Sequence, residues 1–414
     1  MQTKRVSNLA LTGLLLATAL LFCQPLAAQH VLTVLPHSSG DDADRNPITF
    51  MRPHYILHAA AGAGVAGPPS TAYGPGQVRH AYGFDQVTNQ GKGQTIGIVD
   101  AYDDANAEAD LGVFSAQFNL PACTSSNGCF RKVYSNGSKP GSNANWAVEI
   151  SLDVQWAHAI APQANILLVE APSNSLSALL SAVDVAVRNG ASAVAMSWMV
   201  GEFTGENSYD THFVSSGVTF LAASGDNGTG AAYPAASPDV VGVGGTTLTL
   251  SSTGNYQSET AWSGSGGGLS SKEREPSFQS QFGIPNDPSG YRGAPDVSYD
   301  ANPATGYAVY DSVGIGGYSG WFQVGGTSAG TPQWAALVAI ADSLRVAARK
   351  STLTNANLAL YSIAKASLSA DFYPVVQGTN GSCGTLCTAG SGYDYVTGLG
   401  TPKAVAMVAA LAAN

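Results

Sequence analysis

Apolar residues in this chain fall into short unbroken runs separated by stretches of helical period. Residues 95–100, 166–170, 191–197 and 218–224 are such runs and read as strands buried on both faces. Between them, residues 105–118, 176–188 and 209–216 carry the spacing of helices. Strands alternating with helices imply crossover connections and an α/β fold, a parallel sheet with helices on both faces in one large domain. Residues 329–346 form a strong helical pattern and 404–413 a weaker terminal one, whereas 250–325, rich in Gly, Ser and Tyr, reads as loops and short strands. In open α/β sheets ligands sit at the carboxyl ends of strands. The loops after Val99, Ser197 and Ser224 are therefore where chemistry is expected.

The start of the chain has a different pattern. Lys4 and Arg5 precede an apolar run from Leu9 to Phe22, followed by Leu26-Ala27-Ala28. A basic start, a short apolar run and a small-residue exit describe a signal peptide over residues 1–28. That run is short for a membrane span. Export, to the outside or the periplasm, is expected, with no stable membrane anchor. Residues 29–70 end in an Ala/Gly/Pro run and read as a short leader or linker before a domain at 71–414.

Composition narrows the classes. Charged residues make up 11% of the 414 and hydrophobic ones 44%, which excludes a disordered chain. A formal charge of −10 offers no attraction to nucleic acid. After the signal, cysteines stand at 123, 129, 383 and 387. They permit three pairings. Both couples are local, in Gly/Ser-rich turns, and two small-loop disulfides are the natural expectation for an exported chain. Zinc is the alternative, with no His close in sequence to either couple.

Candidate chemistry lies in three motifs. From Trp146 to Ala159 one helical stretch puts Trp146, Glu149, Asp153 and Trp156 on a shared face. No Lys or Arg occurs between Pro140 and Val187 to relieve the two carboxylates. Partial burial and a like charge raise the pKa of one member of such a pair, as a general base working in acid requires. A solvated helix face is the plain alternative. Second, Gly325-Gly-Thr-Ser328-Ala-Gly-Thr-Pro332 runs into a helix, exposing a seryl hydroxyl where the helix dipole favours negative charge; as structure alone it is a helix cap. Third, Ser224-Gly-Asp226-Asn-Gly228 follows a buried strand, so Asp226 either serves a turn or faces the cleft.

Together these motifs resemble the sedolisin family of serine-carboxyl peptidases, secreted endopeptidases on a subtilisin-like fold. The family's Glu-x-x-x-Asp pair is matched by Glu149 and Asp153, its Ala-Ser-Gly-Asp turn by 223–226, and its Gly-Thr-Ser-x-x-x-Pro motif by 326–332. Pro295-Asp-Val-Ser298 and Gly392 to Gly400 are similar to further family hallmarks. The resemblance implies that Ser328 attacks the scissile carbonyl, Glu149 takes its proton, Asp153 orients Glu149, and a protonated Asp226 stabilises the oxyanion of protein or peptide substrates at acid pH. It also implies roles for Asp100 and Trp198 in an extended proton network, and close approach of substrate backbone to Gly266–Gly268, which either let substrate backbone approach closely as an added strand or simply keep a loop flexible. A monomer is expected. A family Ca²⁺ site is matched by Val375, Gly390, Gly392 and Asp394, but Pro374 stands where a ligating Asp is expected, so the site should be weak. The long prodomain of many relatives has no counterpart in residues 29–70. The alternative function is that of an inactive relative acting as an extracellular scaffold.

Overall fold

The computed structural model describes residues 1–2, 30–34, 50–60, 67–285 and 290–414. The expected signal peptide lies almost wholly outside them. Among the described residues no helix is long and apolar enough to cross a membrane.

The core is an eight-stranded sheet. Its strands are β1 (Thr95–Ala101), β2 (Phe130–Tyr134), β3 (Asn165–Ala171), β4 (Ala193–Met196), β5 (Thr219–Ala223), β6 (Val240–Leu250), β7 (Tyr256–Ala261) and β8 (Val297–Asp300). The order is β7-β6-β5-β4-β1-β3-β2, with β8 also paired to β6. All pairs are parallel except β6 with β7. The expected buried strands thus all form, with boundaries shifted by one or two residues.

Side chains alternate between the faces. Ile96, Ile98, Ile166 and Leu168 point into one apolar layer, with α1 (Ala144–Ile160) and α3 (Thr327–Ala347). Val99, Leu167, Val169 and Val194 point into the other, with α2 (Leu176–Arg188). Because both faces are covered, the strands read as continuous apolar runs. From β1 the chain goes to the edge strand β2, returns inward to β3 beside β1, then crosses to β4 on the other side and winds outward through β5 and β6. That reversal opens a crevice at the carboxyl ends of β1 and β4.

Two regions differ from expectation. Residues 206–213 form a 3₁₀ helix, Glu206–Phe213, rather than an α-helix at 209–216; polar Asn207, Asp210 and His212 supply no continuous apolar stripe to hold a longer one. Within 250–325, two long strands, β9 (Tyr307–Ile315) and β10 (Tyr318–Gly325), form a hairpin. Its Gly-rich turn at Gly316-Gly317 and its polar outer positions hide the strand pattern in the sequence. The cysteines join as Cys123–Cys129 and Cys383–Cys387.

Candidate active site

Helix α1 is apolar nearly all round and enters the interior; residues 146–160 are all buried. Its first turn is fixed by Asn143, whose side chain accepts from the backbone N–H groups of Asn145 and Trp146. Gln155 further in holds the helix to β9 through two bonds with the Tyr310 backbone. So anchored, the helix carries Glu149 and Asp153 to the crevice, both fully buried.

Helix α3 begins where β10 ends, so Ser328 sits in its first turn. Gly326 takes φ 116°, and a Cβ there would lie 2.5 Å from both Asp226 Oδ2 and the His54 carbonyl oxygen. Only glycine allows this turn. Pro332 lacks the N–H that would bond to the Ser328 carbonyl, and Ser197 Oγ stands 3.5 Å from that oxygen instead.

The sheet supplies the rest. Ser197, just past β4, donates its hydroxyl to Asp153 Oδ1 at 2.9 Å. The Trp198 indole N–H donates to Val99 O at 2.8 Å, tying that strand end to β1 beside Asp100. Asp226, past β5, accepts at Oδ1 from Thr327 N–H (2.8 Å) and Thr327 Oγ1 (2.9 Å). Its Oδ2 is buried without a partner.

The electrostatics are those of acids kept protonated. Glu149 is raised well above the usual carboxylate range by burial first, then by Asp153 and Asp100. Asp153 is raised by burial and by Asp100. Burial lifts Asp100 to about 8 and Asp226 to about 7, the Thr327 bonds offsetting part of the latter. Neither Glu149 oxygen has a well-formed hydrogen bond. Ser328 is near enough to favour the charged form of Glu149, although its hydroxyl here donates at 3.5 Å to the Ser197 carbonyl. The structure therefore gathers Ser328, Glu149, Asp153, Asp226, Asp100 and Trp198 around one crevice.

Residues 50–60, at the end of the expected leader, run through that crevice. Arg52–Pro53 pair antiparallel with Trp198–Gly201. Ile56–Ala60 pair antiparallel with β10. Between the two pairings, Ser328 N–H donates to the His54 carbonyl oxygen at 3.2 Å, beside the free Asp226 Oδ2. His54 and Tyr55 are buried, at 6% and 1% exposure. Nothing in the sequence pattern of residues 29–70 marks this segment, because its side chains are chosen by the cleft and not by a period of its own. The Ser197 hydroxyl on Asp153 and the Thr327 bonds to Asp226 were not anticipated, although both residues lie in stretches that the sequence marked.

Gly266 and Gly267 pack against the chain's own backbone, whereas a Cβ on Gly268 would meet nothing closer than 3.8 Å. A Cβ on Gly266 would lie 2.0 Å from Ser224 O and one on Gly267 2.1 Å from Tyr395 O, so these glycines make room for the chain's own loops. The expected calcium ligands do not fit the ion. Asp394 spends both oxygens on Gly390 N–H, Val396 N–H, Thr397 N–H and Thr397 Oγ1, and Pro374 contributes no side-chain oxygen beside Val375 and Gly392.

No family model matches the chain. It is 32% identical over 410 residues to kumamolisin of Bacillus sp. (strain MN-32), covering 89% of this chain and 69% of that protein. It is 33% identical over 225 residues to tripeptidyl-peptidase 1 of Canis lupus familiaris, covering 47% of this chain and 37% of that one. Among solved structures, Pseudomonas sedolisin, a serine-carboxyl proteinase complexed with two molecules of pseudo-iodotyrostatin, matches with a TM-score of 0.72 at 27% identity. That match covers 83% of this chain and 98% of the other.

Proposed function

The chain belongs to the sedolisin family of serine-carboxyl peptidases, and from that premise we propose that it is an exported, acid-active endopeptidase whose nucleophile is Ser328. Glu149 is the base, Asp153 its orienting partner and Asp226 the oxyanion donor. The observation that carries this reading is the His54 carbonyl oxygen, which lies against Ser328 N–H and beside Asp226 Oδ2 while the flanking backbone pairs as an added strand on both sides. A polypeptide in this register presents one peptide bond to the seryl oxygen.

The chemistry follows from the groups present. Ser328 Oγ bonds to the carbonyl carbon while its proton passes to Glu149. Asp153 shares a proton with Glu149 and keeps the pair from carrying two charges. The carbonyl oxygen becomes an oxyanion and takes hydrogen bonds from Ser328 N–H and the protonated Asp226. Glu149 then gives its proton to the leaving amine, which departs and leaves an acyl-serine. Water repeats the sequence, attacking the ester and releasing the carboxylic acid. Asp226 donates only when protonated; once ionised it repels the oxyanion. Asp100 and Trp198 extend the network by setting the dyad's proton affinity and the position of the strand end.

The bond presented by the chain itself, His54–Tyr55, is on this reading its first substrate. Incubated at about pH 4, the protein is expected to yield a new amino terminus at Tyr55, read by Edman sequencing and intact mass. Ser328→Ala should keep the original terminus. Cleavage there in Ser328→Ala would refute the assignment of the nucleophile, and an uncut protein that digests no denatured casein would favour an inactive scaffold.

A further inference from the structure

The segment in the cleft remains paired well upstream of the presented bond. Counting back from His54, Arg52 is the third residue, Met51 the fourth and Phe50 the fifth. Met51 N–H donates to Asn174 O at 2.8 Å and Met51 O accepts from Asn174 Nδ2 at 2.9 Å. Phe50 bridges Ser175 in antiparallel fashion. Among the described residues, backbone pairing thus carries the segment past the third position to the fourth and fifth. Where the segment passes Ser175, a cavity of about 510 Å³ opens between the start of α2 and the loop after Gly201. Its walls include Ser175, Leu176, Phe203, Thr204, Ser208 and Tyr209.

The geometry points to a distal substrate subsite in this cavity, taking an aromatic or apolar side chain at the fifth or sixth residue before the cut bond. The substrates it selects are long extended polypeptides, cut internally, rather than peptides trimmed three residues from an amino terminus. This rests on the peptidase reading above. No lining residue is charged, so a charged substrate side chain would lose hydration there without a partner. The aromatic wall is fixed in place. Phe203 and Tyr209 ring centroids are 6.1 Å apart at a tilt of 54°, and Phe203 meets Tyr233 edge-on at 5.8 Å. Phe203 N–H also donates to Glu206 Oε2 at 2.6 Å, and Ser208 Oγ donates to Gly205 O at 2.8 Å. An incoming ring would find edge-to-face partners already oriented. Backbone pairing at Asn174 and Ser175 is indifferent to sequence, so the cavity is what discriminates.

The test compares quenched fluorescent peptides that share every residue from the fourth before the cut onward. One begins there; the others add two residues, with Phe or Asp at the fifth or sixth position. At about pH 4 the Phe-extended peptides are expected to gain about tenfold in kcat/KM, chiefly through KM, and the Asp-extended ones to gain little. Ser208→Trp and Thr204→Trp, which place an indole at two exposed positions on the cavity wall, should each remove the gain, with circular dichroism showing that both variants are folded. Equal kcat/KM for short and Phe-extended peptides, or a gain that survives both substitutions, overturns the subsite and leaves the peptidase reading standing. Failure to cut any of the peptides overturns both.

Discussion

Glu149→Gln is expected to lower kcat for peptide hydrolysis by about 10⁴-fold or more, with KM and Tm nearly unchanged. The amide has the shape of the carboxylate but cannot accept the seryl proton. Neither Glu149 oxygen makes a well-formed bond whose loss would unfold the helix. The surrounding anchor points, Asn143 at the cap and Gln155 against β9, lie elsewhere on α1. Ser328→Ala should cost about as much, and the double variant little more, because the two groups act in one step and their losses do not add. Steady-state rates on a peptide cut by the wild type, at about pH 4, decide this. A loss under tenfold in Glu149→Gln would mean that another group takes the proton.

The second large effect is on stability. The protein is expected to be most stable in acid and to lose on the order of 10 °C in Tm between about pH 4 and pH 8. Burial lifts Asp100 and Glu170 to about 8, and Asp104, Asp226 and Asp342 to about 7. In the unfolded chain such groups titrate near 4. Below that value both states are protonated and the native state keeps its full stability. As pH rises past it, the unfolded chain releases protons that the folded chain still holds, and stability falls until the folded groups ionise too. Lys132 reaches Asp103, Glu170 and the Asp104 backbone, whereas burial raises Asp100 and Asp226 with no cation offsetting it. Thermal melts at constant ionic strength across that range give the slope directly. A Tm that rises toward pH 8 would show that these carboxyls are ionised in the folded state.

Much of this was legible in the chain. Continuous apolar runs gave the parallel sheet because both its faces are covered, and the Glu149–Asp153 spacing put the dyad on one helical face. Ser328 and Asp226, which the fold brings to one crevice, stood out because their motifs combine a chemical side chain with the glycines that a tight turn demands. The β9–β10 hairpin was hidden by glycines at Gly314, Gly316 and Gly317 that resemble loop composition. The passage of residues 50–60 through the crevice was hidden for another reason. An added strand takes its conformation from the edges it joins, so neither period nor composition announces it. At the expected calcium positions, Gly390, Gly392 and Asp394 match a sequence pattern, and in the fold Asp394 accepts from Gly390 and Thr397 N–H and closes its own turn.

The central claim is that a protonated carboxyl at Asp226 receives the oxyanion while Glu149 receives the seryl proton. The most direct test is the pH dependence of kcat/KM for the wild type and for Asp226→Asn. Asn can accept from Thr327 at one atom and donate to the oxyanion from the other at any pH. The wild type should lose activity as pH rises through about 7, where Asp226 ionises. The variant should keep substantial activity in acid and show a weaker decline across that range. An alkaline limb of the same position and steepness in both proteins would contradict the account.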